Sequence, residues 1–251
     1  MSALVLALAA GAVTGVTLGA LGGGGSVLAV PALIYLLGFT PAAATTASLI
    51  IVTVTSAAAL RPHAASGNVR WGTGALFAAA GIPPAIGAAT LAARLPPAVL
   101  TAAFAAVAAL AALALWRAAA PEPPERRPAP VRPARAAGAG AGLGAVTGFL
   151  GVGGGFLAVP ALVSVVGLRV RAAVGTSLLV ITVNSLAALT ARAGAPTPLD
   201  WAVIAPFTGA AVLGAWDGRR LAARISGPTL QRVFATVLLA VAAVMLVDAL
   251  R

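Results

Sequence analysis

Apolar residues run along this chain in long, nearly unbroken stretches rich in Ala, Leu and Val. They show neither the period of two of a half-buried strand nor the broad polar face of a surface helix. Ten stretches can be marked off, near residues 3–20, 26–38, 41–60, 71–93, 98–117, 139–150, 155–167, 172–191, 201–218 and 228–250. A bilayer crossing takes roughly 20 apolar residues. In lipid every backbone group must be bonded internally, and a helix does this within each segment. The pattern predicts an all-α fold, a polytopic transmembrane bundle of 8–10 helical segments. The first two stretches of each half are short and interrupted by glycine, so they read either as two spans or as a re-entrant hairpin that does not cross.

Composition removes the alternatives. Only 8% of the residues are charged, against about 25% in a soluble domain. That is too few to clothe a water-facing surface, and no charged side chain precedes Arg61. The formal net charge of +11 suggests nucleic acid at first sight, but all sixteen basic residues are Arg, placed singly or in short groups between apolar runs. That is the distribution of positive-inside loops, not of one basic face, so no nucleic-acid partner is expected. The absence of Cys excludes disulfides, thiolate metal sites and cysteine nucleophiles, and the single His63 forms no metal cluster. No metal or cofactor is expected. Met1–Gly11 lacks the basic flank of a signal peptide and reads as the start of the first helix.

One segment breaks the apolar pattern. Ala118–Ala137 holds Glu122, Glu125, Arg126, Arg127, Arg132, Arg135 and a run of prolines, the composition of an extended linker. It divides the chain into a first membrane repeat at 1–117, a linker at 118–137 and a second repeat at 138–251. Sliding the sequence by 129 positions lays Gly15, Gly19, Gly22, Gly24 and Gly25 on Gly144, Gly148, Gly151, Gly153 and Gly154. It also lays Leu28-Ala-Val-Pro31-Ala-Leu33 on Leu157-Ala-Val-Pro160-Ala-Leu162, and Ser48, Thr53 and Ser56 on Ser177, Thr182 and Ser185. With one extra residue in the second copy, Trp71 falls on Trp201, Arg94 on Arg224 and Phe104 on Phe234. Such duplication marks many transporter folds. Each half makes an odd number of crossings, so the repeats should be inverted. With the linker in the cytoplasm, inversion leaves only Arg94, Arg192 and Arg251 outside, which suits the positive-inside rule better than parallel halves do. Both termini are then expected outside.

Two features are candidates for binding. The glycine knots, Gly22-Gly-Gly24-Gly25-Ser26 and Gly151-Val-Gly153-Gly154-Gly155, break a helix in equivalent places. Each break is followed by a new helix, whose first N–H groups lack intrahelical partners and suit an anion. Paired broken helices are a sequence pointer to a carrier's midplane site. The second feature is a polar stripe on the third segment, Thr45, Thr46, Ser48, Thr53, Thr55 and Ser56, repeated as Thr176, Ser177, Thr182, Asn184 and Ser185. Ordinary hydroxyls in membrane helices bond their own backbone, but Asn184 is an amide within an apolar run. The expected substrate-binding set is Gly22, Gly24, Gly25, Ser26, Ser48, Ser56, Gly153, Gly154, Gly155, Thr176, Ser177, Asn184 and Ser185, with the stripes facing the knots. His63 is expected in a cytoplasmic loop. Glu122, Glu125, Asp200, Asp217 and Asp248 all fall in loops or near segment ends, so no carboxylate is available for a proton relay in the membrane. An anion fits these groups better than a cation.

The run from Gly144 through the knot to Val159-Pro160 and Leu162, followed by Val174-Gly175-Thr176-Ser177-Leu178, resembles the sulfite exporter TauE/SafE family, also called the toluene sulfonate uptake permeases. The resemblance covers nearly the whole chain. The first half departs from it, with Thr46-Ala47-Ser48 in place of Gly-Thr-Ser and Ser26 in place of the last Gly. What the resemblance implies is transport of a sulfur-containing anion such as sulfite, an organosulfonate or thiosulfate. A secondary carrier in a bacterial cytoplasmic membrane is therefore expected, with the lipid bilayer and a small anion as its partners and oligomerisation left open. An anion channel of the same architecture and a non-transporting assembly subunit are the alternatives. An intramembrane serine protease is not expected, because Gly175-Thr176-Ser177-Leu178 lacks a nucleophile setting and the one His lies elsewhere.

Overall fold

Every expected apolar stretch forms a helix in the computed structural model, which describes residues 2–21, 25–118, 133–151, 155–192, 198–222 and 227–249. In the first half, α1 spans Ser2–Leu21, α2 Ser26–Pro31, α3 Pro41–Ala65, α4 Trp71–Ala92 and α5 Pro97–Ala118. In the second, α6 spans Pro133–Leu150, α7 Gly155–Ser164, α8 Val170–Arg192, α9 Trp201–Ala222 and α10 Gly227–Ala249. Among the described residues there is no strand. α2 continues as a π-helical turn at Ala32–Leu36. That turn follows Pro31, whose missing N–H interrupts the hydrogen-bond ladder.

Local chemistry sets the helix ends. Pro41, Pro97 and Pro133 open α3, α5 and α6, where the missing proline donor is one the helix would not have used. The Thr40 hydroxyl accepts from the Ala43 N–H at 3.3 Å and caps α3. Gly67 at φ +68° closes α3, with Gly67 N–H donating to the Ala64 carbonyl and Asn68 N–H to that of His63. This left-handed exit requires glycine. Gly38 and Gly167, also at positive φ, end the helices that follow the two breaks and are related by the same 129-residue shift.

Four helices are long and apolar enough to cross a membrane, at Ala3–Leu21, Pro41–Ala65, Trp71–Ala92 and Val170–Arg192. Leu4, Val5, Val13, Leu110, Leu213 and Val244 point outward, as they must when the solvent is hydrocarbon. Trp71 and Trp201, exposed at equivalent helix starts, suit the membrane interface. The chain is a multi-pass membrane protein in contact with the bilayer.

The two halves interlock. α1 packs along α9 and α6 along α4, so each half lends its first helix to the fourth helix of the other. Gly11, Gly15 and Gly19 face Phe207, Ala211 and Ala215, while Gly140, Gly144 and Gly148 face Phe77, Gly81 and Ala85. The numbers rise together in both seams, so the paired helices run parallel. At each of these glycines a Cβ would collide with the carbonyl opposite. Close backbone approach of this kind is what holds membrane helices together without a hydrophobic drive. The equivalent helices α3 and α8 pack against each other in the opposite sense, with Thr45 beside Arg192, Ser56 beside Thr182 and His63 near Gly175. They therefore run antiparallel. α5 packs on α10.

Three expectations need adjustment. Pro133–Ala137, placed in the linker, forms the first turn of α6, with Ala136 fully buried; the rest of the linker, 119–132, lies outside the described residues. His63 sits in the last turn of α3 instead of a loop, because Pro62 removes one donor without stopping the helix. Arg192, expected on the outer side, is the last residue of α8 and is buried within the protein at that end.

Candidate functional site

The polar stripes lie on α3 and α8, which carry much of the buried polar surface of the molecule. Thr45, Thr46, Ser48, Thr55 and Ser56 on α3 are buried, as are Thr176, Ser177, Asn184, Ser185 and Arg192 on α8. Small side chains opposite them let the helices approach, and the seam is closed by a direct bond between the Ser56 and Thr182 hydroxyls at 2.8 Å.

Most of the hydroxyls are accounted for by their own helices. Thr45 and Thr46 donate to the Ala42 carbonyl at 3.0 Å each, and Thr55 to Ile51 at 2.6 Å. Ser177 donates to Val174 at 2.7 Å; the Ser56 hydroxyl lies 2.5 Å from the Val52 carbonyl and that of Thr182 2.7 Å from Leu178, so one of this pair donates to its own helix and the other across the seam. The Thr176 hydroxyl accepts from the Arg70 N–H at 3.0 Å and ties α8 to the start of α4. Among the described residues the buried side-chain polar atoms with no partner are few: Ser48 Oγ, Ser185 Oγ, both amide atoms of Asn184, and Arg192 Nε. An unpaired buried polar group costs about 1–3 kcal/mol, so four such residues single out the two helices α3 and α8.

The expected set divides under this geometry. Ser48, Ser56, Thr176, Ser177, Asn184 and Ser185 all lie on the α3–α8 pair. Gly22, Gly24, Gly153 and Gly154 lie outside the described residues. Gly25 packs on α1, where a Cβ would meet the Thr14 carbonyl, Leu18 N at 2.5 Å and Thr17 Oγ1 at 2.6 Å. No larger residue fits there. Ser26, fully buried, opens α2, which packs on α3. Gly155 is buried and opens α7, which packs on α8 and touches α2. Gly151, at φ +65°, rests on Thr45, whose Cβ would lie 2.6 Å from an added methyl. The second glycine break thus begins beside the first residue of the α3 stripe.

Asn184 points elsewhere. A methyl placed on Gly81 would lie 2.6 Å from its Nδ2 and 2.9 Å from its Oδ1, with the Gly140 carbonyl also at 2.9 Å. The amide is inserted at the α4–α6 glycine seam, roughly 15 Å along α6 from the break. Among the described residues, the α3 stripe meets the second break at Gly151 beside Thr45, and Asn184 lies apart from it. The polar residues of α8 form a file along that helix, in which Ser177, the adjacent Asn184 and Ser185, and Arg192 recur at seven- or eight-residue intervals and so share one broad face.

Arg192 is the member of the file that the sequence reading set aside. Its Nη1 donates to Thr45 Oγ1 at 2.7 Å and its Nη2 to the Gly148 carbonyl at 3.1 Å. Its seven-residue spacing from Ser185 was the available signal. A cleft of about 10 Å³ borders Thr45, lined also by Ile34, Leu100, Thr101, Phe104 and Met245. That is the room of one water, not of an anion.

Comparison with known proteins agrees with this architecture. A family model described as "Sulfite exporter TauE/SafE" matches residues 7–245. A "Probable membrane transporter protein" of Xylella fastidiosa (strain 9a5c) is 33% identical over 247 residues, covering 96% of this chain and 94% of its own length. A protein of the same description from strain Temecula1 / ATCC 700964 is 34% identical over 248 residues, with the same coverage. No solved structure matches the chain.

Proposed function

The chain belongs to the sulfite exporter TauE/SafE family and is a membrane transporter rather than an enzyme; on that footing we propose that it is a secondary carrier of a small anion, a sulfur oxyanion or organosulfonate, across the bacterial cytoplasmic membrane. The observation that carries the anion reading is the buried file on α3 and α8. It offers hydroxyl and amide groups and ends in a cation. The carboxylates of Asp200 and Asp217 are exposed and away from it. A cation substrate would find nothing of opposite charge there, whereas an oxyanion can accept from each of these donors.

The antiparallel pairing of α3 with α8 supports inverted repeats. When equivalent helices meet antiparallel on a pseudo-two-fold axis, the two ends of the file become equivalent to each other. That is the architecture in which a site opens to either face in turn. The first N–H groups of α7, the helix that follows the second glycine break at Gly155, have no intrahelical acceptor and would add to such a site; Gly153, Gly154 and Gly155 enter the proposal in that role, with Gly22, Gly24, Gly25 and Ser26 at the equivalent place in the first repeat.

Counterflow tests the carrier reading. Proteoliposomes loaded with unlabelled sulfite, thiosulfate or benzenesulfonate are diluted into a trace of the same anion carrying label. A carrier accumulates label transiently above equilibrium, and this overshoot is the expected result for at least one of the three. Label that equilibrates without overshoot would establish a channel instead. No entry above protein-free vesicles, with folded protein, would remove the anion reading.

A further inference from the structure

We propose that Arg192 is the charge partner of the transported anion: its guanidinium, at the end of α8 between Thr45 and the second glycine break, is an oxyanion-binding station. This rests on the anion-transport reading above and adds to it the residue that selects the charge.

Arg192 is 8% exposed and lies at the end of a membrane-spanning helix. A buried cation costs several kcal/mol unless a countercharge compensates it, and within membrane segments such residues mark substrate paths. Among the described residues the one ion pair joins Arg220 to Asp217, both exposed on α9. Arg192 meets only neutral acceptors, a threonine hydroxyl and the Gly148 carbonyl near the C-terminus of α6. The negative end of the α6 dipole offsets part of the charge, but among the described residues no full countercharge is present, and Nε donates to none of them.

The surroundings are those of an anion site. Ser48, one turn beyond Thr45 on the same face of α3, has an unpartnered hydroxyl. Ser185, seven residues before Arg192 on the same face of α8, has another. A planar guanidinium presents Nε–H and one Nη–H side by side, which match two oxygens of a sulfite, thiosulfate or sulfonate group. A halide offers one acceptor atom to both donors and lacks the two-point match of an oxyanion. An arriving oxyanion would take the Nε–H first and then exchange with the Gly148 carbonyl, releasing α8 from the end of α6.

The merely structural alternative is that Arg192 ties α8 to α3 and α6. The two roles separate in a thermal-unfolding titration of the detergent-purified full chain. Wild type, Arg192→Lys and Arg192→Gln are titrated with sodium sulfite, thiosulfate and benzenesulfonate, with ionic strength held by sodium chloride. Ligand that binds the folded form raises the midpoint saturably. The expected result is saturable stabilisation of wild type by at least one oxyanion beyond the chloride control. Half-saturation should rise about tenfold or more in Arg192→Gln, since a charge-assisted bond is removed. Arg192→Lys, which keeps charge without the fork, should fall between. A structural tether would lower the ligand-free midpoint and leave half-saturation unchanged. Wild-type half-saturation in the variants, or no oxyanion stabilisation of wild type, overturns the proposal. Should Arg192→Gln fail to fold, Arg192→Lys decides on the same criterion. Counterflow separates this inference from the transport reading: oxyanion binding that depends on Arg192 without flux would sink transport alone, and flux with Arg192-independent binding would sink the inference alone.

Discussion

Asn184 carries two polar atoms into a fully buried position and bonds neither to the protein. The hydroxyls of Thr176, Ser177 and Thr182 on the same helix have partners, whereas Asn184 and the adjacent Ser185 have none among the described residues. Asn184→Ala removes the orphan atoms and their desolvation cost, so the folded protein should be as stable as wild type or gain up to about 1 kcal/mol. Binding should weaken several-fold if the amide meets the anion in passage. KM in proteoliposome uptake and the unfolding midpoint read the two effects separately; unchanged KM with unchanged stability would remove Asn184 from the file. The amide was legible in the sequence as an anomaly within an apolar run. Its direction was not, because it depends on Gly81 and Gly140, residues on two other helices that leave space beside it. Arg192 was misread for a related reason. An arginine at the end of an apolar segment looks like a loop residue by composition, and only the approach of Thr45 and Gly148 shows it to be enclosed.

At the scale of elements, the helix boundaries followed closely from runs of apolar residues, initial prolines and terminal glycines. The partners of each helix did not. Gly15-x3-Gly19 and Gly144-x3-Gly148 announced close packing, yet nothing in their spacing says that α1 meets α9 and α6 meets α4. The seams make a sharp contrast between glycines. At Gly144 a Cβ would collide with the Gly81 carbonyl, whereas at Gly87 nothing lies within 4 Å. Gly144→Ala should destabilise by about 1–3 kcal/mol through overpacking, and larger residues by more. Gly87→Ala should be neutral or stabilising by up to ~1 kcal/mol through helix propensity. Thermal or denaturant unfolding in detergent measures both. Equal effects at the two sites would mean that the α4–α6 seam does not hold the halves together.

At the scale of the molecule, duplication and function were read from the same residues. The 129-residue shift that aligns the sequence halves also relates the two glycine seams, Gly11–Gly19 and Gly140–Gly148, and the two helix-ending glycines, Gly38 and Gly167. The same shift lays His63 on Arg192, so a basic residue stands at equivalent positions of both repeats. A site built on α3 and α8 alone would be an ordinary polar interface. It becomes a route across the membrane only if the helices are inverted copies, with one end of the file at each face. The absence of cysteine makes that claim simple to test. Ser66→Cys marks the turn after α3, and Pro198→Cys the segment after α8; both positions are exposed. With a membrane-impermeant maleimide on intact cells, the account predicts that Cys at 198 is labelled at once and Cys at 66 only after permeabilisation. Labelling of both from the same side would contradict inverted repeats, and with them a single polar file that serves both faces of the membrane.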